Sequence, residues 1–364
     1  MRAVVGLGTT GLSVIRYFYK HKIPFFIWDS RTNPPNSEEI TNQFPGVPYY
    51  FGSENAKILL TASEIIISPG LPRAAPVLAA ALEKNIPVIG DIELFVRETS
   101  VPIIAITGTN AKGTVTMMTE SILTAANYQV KVGGNIGIPV LDLLSEPEPD
   151  YYILELSSFQ LESIFSMKAV AATILNISPD HLDHHQTWEN YVLAKQRIFL
   201  GAQNVIYNAD DLSTYPESFN EGQQKKIAFG IGKPHFEQAF GIQDDILMYL
   251  DEAYFPIKNL PLVGKHNAVN ALAASALAFS IQIPFSKICE GLENFSGLAH
   301  RCQLIVKKNN IAWYDDSKGT NVGATLAAIN GLGSSINGKI ILIAGGQAKN
   351  QKFSSLKNAC RDYV

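Results

Sequence analysis

The sequence predicts an α/β protein of three domains, and three observations lead to this fold class. Short β-rich runs alternate with helical runs from the first residue, as in parallel sheets covered by helices. Two glycine-rich turns each follow a strand and open a helix. The chain has 364 residues, which is enough for two or three folding units of about 100–150 residues each.

The first domain is predicted to cover residues 1–95. The expected elements are strands at residues 3–5, 24–28 and 64–67 and a helix at residues 12–19. The pattern pauses near residues 93–101 before a fresh strand begins, and we place a domain boundary there.

The central domain is predicted to cover residues 96–295. Its expected strands lie at residues 103–106, 152–154, 172–175 and 205–207. Residues 209–260 are polar and irregular, which favours a small antiparallel insert. A long helix is expected from residue 264 to residue 279.

The third segment covers residues 296–364. Strands are expected at residues 303–306 and 339–344. Because the segment is short for an α/β domain, we expect it to be an incomplete one.

Composition excludes several classes of protein. Charged residues make up 17% of the chain, against about 25% in an average globular protein, so we expect a large buried core and no disorder. The 29 basic and 33 acidic side chains give a net charge of −4. Since this balance offers no basic field, we expect no nucleic acid partner, whereas small anionic substrates remain open.

Cysteine usage and hydropathy favour a cytoplasmic protein without a membrane partner. Cys289, Cys302 and Cys360 are an odd set without a C-x-x-C pair, which argues against a disulfide framework or a zinc–thiolate site. The apolar run at residues 271–285 is shorter than the about 20 residues that span a bilayer, and indicates a buried helix. Glycines and threonines at residues 6–11 interrupt any secretory leader.

The first glycine-rich turn is GLGTTG at residues 6–11. Such glycines let the backbone approach a pyrophosphate at a helix N-terminus, while an acidic residue ending the next strand, here Asp29, binds a ribose. The turn can hold any nucleotide diphosphate and does not specify NAD. Tight packing without a ligand is the alternative.

The second turn is GTNAKGT at residues 108–114. In such a turn backbone N–H groups point at phosphate oxygens, the lysine reaches the terminal phosphates and a hydroxyl binds Mg²⁺. Two residues depart from G-x-x-x-x-G-K-[ST]: Ala111 replaces a glycine and Gly113 replaces the hydroxyl. A positive φ at Ala111 would be strained by about 1 kcal/mol or more. An ordinary strand-to-helix turn is the alternative.

Further runs make the chain resemble the Mur ligases of peptidoglycan synthesis. In chain order they are SPG at 68–70, GGNIG at 133–137, ELSSFQL at 155–161, DHLD at 180–183, GKHN at 264–267, GLAHR at 297–301 and DSKGTN at 316–321. Within the family, the chain is most similar to members that join D-glutamate to UDP-N-acetylmuramoyl-L-alanine. The resemblance implies an N-terminal Rossmann-like domain for the UDP-substrate, a central P-loop ATPase domain with a parallel sheet, and an incomplete C-terminal Rossmann-like domain for the amino acid.

The resemblance also implies a monomeric, ATP-dependent ligase that forms an amide bond. A free carboxylate resists attack by an amine, so these enzymes first make an acyl phosphate, from which the amine of D-glutamate displaces phosphate. Phosphoryl transfer between two anions requires positive charge at close range. Lys112 and Mg²⁺ would supply it.

Catalytic and metal residues follow from the same resemblance. Glu155 and His181 would bind Mg²⁺, with Thr114 as the substitute hydroxyl. Lys195 matches a position that reacts with CO₂ to form a carbamate, which turns a cation into a metal-binding anion. A solvated glutamate, a surface histidine and an exposed helix lysine are the alternatives. We expect the next two histidines, His184 and His185, to be solvated.

The resemblance assigns the remaining sites to ATP and to the two substrates. ATP would be bound by Gly108, Thr109, Asn110, Ala111, Lys112, Gly113, Thr114, Asn267, Arg301 and Asp316. The nucleotide sugar and D-glutamate would be bound by Thr9, Thr10, Asp29, Ser30, Arg31, Gly70, Asn135, Ser157, Gln160, Lys318, Thr320 and Lys349. For Asn135, Ser157 and Gln160, capping of a strand-to-helix turn is the alternative.

Three other functions remain open from the sequence. A non-catalytic protein that binds nucleotide sugars fits the short third segment and the alanines that replace glycine at residues 111 and 348. A sister Mur ligase that adds another amino acid fits the same motifs. An NAD-dependent oxidoreductase depends on the first turn alone.

Overall fold

The protein is known from a computed structural model that describes residues 1–73, 75–145, 147–217, 220, 222, 224–235, 238–262, 264–333, 336–346 and 352–364. Its strands are β1 (Arg2–Val5), β2 (Phe25–Asp29), β3 (Tyr49–Phe51), β4 (Glu64–Ile67), β5 (Val88–Gly90), β6 (Ile103–Thr107), β7 (Val130–Gly134), β8 (Tyr151–Glu155), β9 (Ala171–Ile174), β10 (Asn204–Asn208), β11 (Lys225–Phe229), β12 (Phe240–Gln243), β13 (Ile246–Tyr249), β14 (Glu252–Pro256), β15 (Gln303–Lys308) and β16 (Ile311–Asp315).

The helices lie between these strands and after them. The α-helices are α1 (Thr9–Lys20), α2 (Ser37–Gln43), α3 (Pro76–Glu83), α4 (Asp91–Glu98), α5 (Lys112–Ala125), α6 (Ser158–Leu161), α7 (Leu182–His185), α8 (Trp188–Gln196), α9 (Lys265–Ser280), α10 (Phe285–Asn294), α11 (Val322–Gly333) and α12 (Leu356–Tyr363). Short 3₁₀ helices cover Ser53–Thr61, Val140–Leu143, Arg197–Phe199, Leu212–Thr214, Ile257–Asn259 and Phe353–Ser355.

The N-terminal sheet is parallel, with strand order β3-β2-β1-β4-β5. Alternate residues of β1 enter two different cores: Val4 packs with one, and Ala3 and Val5 pack with the other. Burial on both faces explains why its strands are nearly all apolar. Because β1 lies between β2 and β4, the turn after β1 is at the topological switch point, where open α/β sheets bind ligands.

The central sheet has the order β14-β13-β12-β11-β10-β9-β6-β8-β7. Strands β6 to β12 pair in parallel, and β13 and β14 continue the sheet as an antiparallel edge. The antiparallel pairing expected within residues 209–260 is confirmed, and it extends the main sheet because β12 also pairs with β11. Strand β6 lies between β8 and β9. The turn that follows it at residues 108–114, here called the lysine turn, therefore also occupies a switch point.

The third segment differs most from its prediction. Strands β15 and β16 form an antiparallel hairpin, which confirms the strand expected at residues 303–306. The strand expected at residues 339–344 is wrong, and Ile341 and Ile343 there are 90% and 84% exposed. A strand requires a hydrogen-bonded neighbour, and among the described residues β15 and β16 pair only with each other.

The remaining expected strands and helices are confirmed, with ends that shift by one to a few residues. The run at residues 271–285 is divided between α9 and α10, and most of α9 is buried. None of the described helices is long and apolar enough to cross a membrane. The domain boundaries at residues 95 and 295 stay predictions.

Candidate functional site

The turn after β1 is held together by Asp29, at the end of β2. Its carboxylate accepts hydrogen bonds from the backbone N–H of Leu7, at 2.9 Å, and from the backbone and guanidinium of Arg31, at 2.7 to 3.0 Å. Burial raises the pKa of Asp29, but these hydrogen bonds outweigh it and hold the pKa below its usual value. Asp29 is only 2% exposed, whereas the side chain of Arg31 is half exposed. The buried carboxylate therefore positions the guanidinium of Arg31 through their hydrogen bonds.

Glycine is required in this turn for steric reasons. A Cβ on Gly11 would lie 1.9 Å from the carbonyl oxygen of Gly6. No described side chain caps the start of α1, so N–H groups of its first turn are available to an anion. Of the predicted contact residues, Thr9, Ser30 and Gly70 are exposed and Thr10 is partly buried.

The turn after β6 surrounds the ammonium group of Lys112. Its Nζ donates to the carbonyl oxygens of Gly108, at 2.9 Å, and Thr109, at 3.1 Å. Burial lowers the pKa of Lys112, and the nearby Glu155 carboxylate opposes that shift. Ala111 has φ +67°, so the expected left-handed strain is present. The lysine is therefore held at the centre of the turn, beside a carboxylate.

Two residues that sequence reasoning missed fix the shape of this turn. The backbone N–H of Asn110 donates to Asn176 Oδ1 at 2.9 Å, and Asn176 Nδ2 donates to the Asn110 carbonyl at 3.2 Å. The hydroxyls of Thr109 and Tyr191 are 3.0 Å apart. Asn176 follows β9 at the same sheet edge as the turn, a position that could have identified it.

Glu155, the last residue of β8, faces the lysine turn. It is 3% exposed, so the solvated interpretation is wrong. Asn135 Nδ2 donates to its Oε1 at 2.7 Å, whereas its buried Oε2 has no hydrogen-bond partner in the part of the chain that the structure describes. A Cβ on Gly113 would lie 3.3 Å from that Oε2, so a larger residue there would crowd the carboxylate. An unpaired buried carboxylate oxygen fits Mg²⁺, which prefers oxygen ligands.

Lys195 is buried beside the same turn. It is 2% exposed, so the exposed-lysine interpretation is wrong, and its Nζ donates to the carbonyl of Gly108 at 2.9 Å. Burial holds its pKa well below the usual lysine range, and Lys112 lowers it further, while Asp180 and Glu155 oppose the shift. The two lysines and Glu155 therefore form one charged group.

His181 lies at the margin of this group. It immediately precedes α7, has φ +52° and contacts the ring of Phe159 at 4.9 Å between centroids. Its side chain is 40% exposed, and its Nε2 lies 3.7 Å from Asp180 Oδ2. Because Asp180 acts on the pKa of both lysines, the DHLD run borders the lysine turn. The sequence did not assign Asp180.

Ser157 and Gln160 form a capping box at the start of α6. Gln160 N donates to Ser157 Oγ at 3.2 Å, and Ser157 N donates to Gln160 Oε1 at 3.0 Å. The capping alternative thus describes the hydrogen bonds of both residues. Their contact with a substrate stays a prediction.

The third segment reaches the lysine turn through Asn321, which the sequence left without a role. Its Nδ2 donates to Asn110 Oδ1 at 2.8 Å. Arg301 lies near enough to lower the pKa of Lys112, and Asp316 accepts the Cys302 N–H at 2.9 Å. Among the other predicted residues, Asn267 is buried in α9, Lys318 and Thr320 are exposed, and Lys349 lies outside the described residues.

Fold and site together define a nucleotide-phosphate-binding α/β protein with a lysine turn at a sheet switch point. Family models give the particular family. The Mur ligase middle domain matches residues 106–278, and the Mur ligase MurD-like N-terminal domain matches residues 1–90. The chain belongs to the Mur ligase family, as its relatives also show.

Curated relatives match almost the whole chain. The UDP-N-acetylmuramoylalanine--D-glutamate ligase of Legionella pneumophila (strain Lens) is 44% identical over 365 residues, which is 99% of this chain and 82% of the relative. The enzyme of the same name from Pseudomonas aeruginosa is 44% identical over 360 residues, with 98% and 80% covered.

Solved structures support the fold alone. A pseudomurein peptide ligase type C from Methanothermus fervidus has a TM-score of 0.55 at 21% identity, covering 93% of this chain and 78% of that one. The UDP-N-acetylmuramate-alanine ligase MurC from Thermotoga maritima has a TM-score of 0.52 at 19% identity, with 91% and 77% covered.

Proposed function

We propose that this chain is an ATP-dependent ligase that joins D-glutamate to UDP-N-acetylmuramoyl-L-alanine in the cytoplasm. The observation that carries the proposal is the buried charged group of Lys112, Lys195 and Glu155 at the switch point of the central sheet. A site built only to hold a nucleotide sugar does not require two buried lysines. The names of the relatives support the choice of substrates.

In the proposed reaction, a substrate carboxylate oxygen attacks the γ-phosphorus of ATP, and ADP leaves. The amine of D-glutamate then attacks the acyl carbon, phosphate leaves, and a proton is lost. Both steps bring anions together, so the lysine turn contributes by neutralising charge and orienting phosphate. Lys112 does the first, and the backbone N–H groups of residues 108–114 do the second.

Mg²⁺ fits the residues present. Glu155 would hold the ion through the Oε2 that lacks a hydrogen-bond partner among the described residues, and we propose Thr114 and His181 as further ligands. When bound, Mg²⁺ neutralises charge on the transferring phosphoryl group. Asn135 then acts by fixing the other Glu155 oxygen.

Lys195 is proposed to carry a carbamate. The step joins its neutral amine to CO₂ and releases a proton. Burial supports it, because a depressed pKa populates the neutral amine at lower pH. The resulting anion would attract the ammonium of Lys112, whereas an unmodified, protonated Lys195 would repel it.

The outer contacts complete the proposal. Arg301, Asn267 and Asp316 are proposed to bind ATP, and the influence of Arg301 on Lys112 supports this place. Lys318, Thr320 and Lys349 are proposed to bind D-glutamate. The turn at residues 6–11, with Arg31 at its mouth, is proposed to bind the UDP group.

Phosphate release and product mass test the ligase proposal. We expect phosphate release only with ATP, UDP-N-acetylmuramoyl-L-alanine and D-glutamate together, and no release when another amino acid replaces D-glutamate. No turnover with all three contradicts the activity. Calorimetric binding of the nucleotide sugar without turnover would instead support the non-catalytic alternative.

A separate experiment tests the carbamate. With ¹³C-bicarbonate we expect a carbamate NMR signal in the wild-type chain, because Lys195 is the buried amine. The signal should vanish in Lys195→Ala and persist in Lys168→Ala, which removes an exposed lysine. A signal that survives Lys195→Ala contradicts the assignment.

A further inference from the structure

Two histidines that were expected to be solvated are enclosed instead. His185 is 3% exposed, and the side chain of His184 is 14% exposed. With Glu162 they form a group, here called the His–Glu cluster, whose ligand atoms all lie within 4.8 Å of one another. None of its members belongs to the charged group around Lys112, so the proposed ligase reaction leaves the cluster without a role.

The hydrogen bonding of the cluster is incomplete at one buried atom. His184 Nε2 lies 3.1 Å from Glu162 Oε2, and His185 Nδ1 lies 3.0 Å from Glu162 Oε1. In spite of this short distance, the buried His185 Nδ1 has no aligned hydrogen-bond partner in the described chain. An unsatisfied buried nitrogen beside a carboxylate oxygen leaves its lone pair available to a cation.

A second contact sets the orientation of His185. Its Nε2 lies 2.9 Å from the hydroxyl oxygen of Ser158. When Nε2 donates to that hydroxyl, Nδ1 presents its lone pair to Glu162. Histidines that bind metals nearly always donate their other ring N–H in this way, which fixes the tautomer and the ring.

We propose that the His–Glu cluster binds a divalent transition metal of the zinc type, separate from the Mg²⁺ that serves ATP. Two imidazole nitrogens and one carboxylate are a frequent donor set for Zn²⁺ with an open fourth position. Bonds of about 2.0–2.2 Å in a tetrahedron separate ligand atoms by about 3.3–3.6 Å. The two histidines approach different oxygens of Glu162, at 3.1 and 3.0 Å, so the ion would draw one of those oxygens toward both rings. Mg²⁺ prefers oxygen ligands and fits this set poorly.

The cluster is open to solvent on one side. Its three residues line a cavity of about 990 Å³ between the segment around Gly70 and helix α8. The cavity lets an ion reach the cluster and leaves room for a water or an anionic oxygen as the fourth ligand. Arg73 and Arg197 also line it, which favours an anion in that position.

The position of the cluster predicts what the metal does. Glu162 directly follows α6, seven residues beyond Glu155, and His184 lies three residues beyond His181. A bound ion would join the α6 segment to α7 and so fix the spacing of the two proposed Mg²⁺ ligands. Glu162, His184 and His185 would then be positioning residues for the ligase site, not catalytic ones.

Cobalt titration of the full chain in excess Mg²⁺ tests the site, because tetrahedral Co²⁺ absorbs visible light strongly. We expect the wild type to take up one equivalent without a thiolate-to-cobalt band, since the three cysteines lie elsewhere. Glu162→Gln and His184→Ala should each weaken binding by about tenfold or more. His21→Ala, which removes an exposed histidine, and Glu155→Gln should bind as the wild type does.

Four results would overturn the proposal. They are no uptake by the wild type, uptake by Glu162→Gln and His184→Ala equal to that of the wild type, a thiolate-to-cobalt band, and loss of uptake in Glu155→Gln. Thermal melts of each variant identify misfolding. Glu162→Gln keeps the shape of the side chain, and His184 lies on the cavity wall, so one variant still tests metal binding if the other fails to fold. The titration uses no substrate, so its failure is distinct from failure of the ligase proposal.

Discussion

The two glycine-rich turns share a backbone design and differ in charge. Each follows the strand at the switch point of a sheet, β1 in one and β6 in the other. In the first turn, Asp29 is neutralised locally by Arg31 and by the Leu7 N–H. In the second, Lys112 and Lys195 lie together, and Glu155 keeps an oxygen that no described donor satisfies.

This difference separates binding from chemistry. A turn whose charges are satisfied internally is rigid and offers backbone N–H groups, which suit a diphosphate that does not react. A turn that holds unmatched buried charge is less stable alone, because the missing partners come with ATP and Mg²⁺. We therefore expect substitutions in the first turn to affect stability and affinity, and those in the second to affect turnover.

The largest effect is expected from Lys112→Ala. Loss of a charge that acts on the transferring phosphoryl group should lower kcat by about 10²–10³-fold, while affinity for the nucleotide sugar stays unchanged. Phosphate release measures kcat, and calorimetry measures the affinity for the nucleotide sugar. Lys20→Ala, which removes an exposed lysine, is the control. A Lys112→Ala variant that loses affinity for the nucleotide sugar but keeps its kcat would contradict the assignment of the chemistry to the second turn.

Lys195→Met should make the ligand-free protein more stable and inactive. An apolar side chain of similar length removes the desolvation penalty of the buried amine, which the nearby Lys112 increases. Because the folded-state pKa lies below 10.5, the unfolded chain binds more protons, and wild-type stability should fall as pH decreases from 10.5 toward that pKa.

Urea unfolding at several pH values measures both effects. The pH slope should flatten in Lys195→Met and persist in Lys168→Met, which changes an exposed lysine. A destabilised Lys195→Met would show that the buried charge is already compensated in the ligand-free protein.

Asp29→Asn should destabilise the first turn by about 1.5–3 kcal/mol, since it removes hydrogen bonds to a charged group. The pKa of Asp29 is lowered in the folded state, so its stabilisation is present above 3.8 and is lost as pH falls through the folded value. The gap between wild type and variant in urea unfolding should therefore close in acid.

Asp251→Asn is the control for that experiment, because its side chain is 93% exposed and should give no gap at neutral pH. Calorimetry should also show weaker sugar binding in Asp29→Asn. An unchanged affinity would mean that Arg31 is not positioned by Asp29 for the ligand.

The smallest effect is expected from Ala111→Gly. A left-handed residue with a Cβ is strained by about 1–2 kcal/mol, while glycine favours the unfolded chain by about 0.4–1 kcal/mol, so we expect a slight stabilisation. Ala80→Gly, at an exposed position inside α3, should instead destabilise by about 0.5–1 kcal/mol. Thermal melts compare the two, and equal losses would contradict the strain at Ala111.

Particular residues show how far the sequence could be interpreted. The apolar runs of β1 and β6 and the glycine turns after them are local signals, and they were placed correctly. The strand expected at residues 339–344 had the same apolar composition but lacks a neighbour to pair with among the described residues. Tyr191 and Asn321 carried no local signal, because each contacts the lysine turn from a distant part of the chain. Asn176 offered only its position after an expected strand.

The sequence by itself determined the alternation of strands and helices, the two turns at the carboxyl ends of strands, and the family, because these depend on neighbouring residues and ordered motifs. Only the tertiary structure decided which charges are buried. Lys195 and His185 read as ordinary helix residues, yet helices α7 and α8 pack them against β6 and α6. Burial depends on what the whole fold places over a side chain, and burial is what changes the chemistry of a lysine or a histidine.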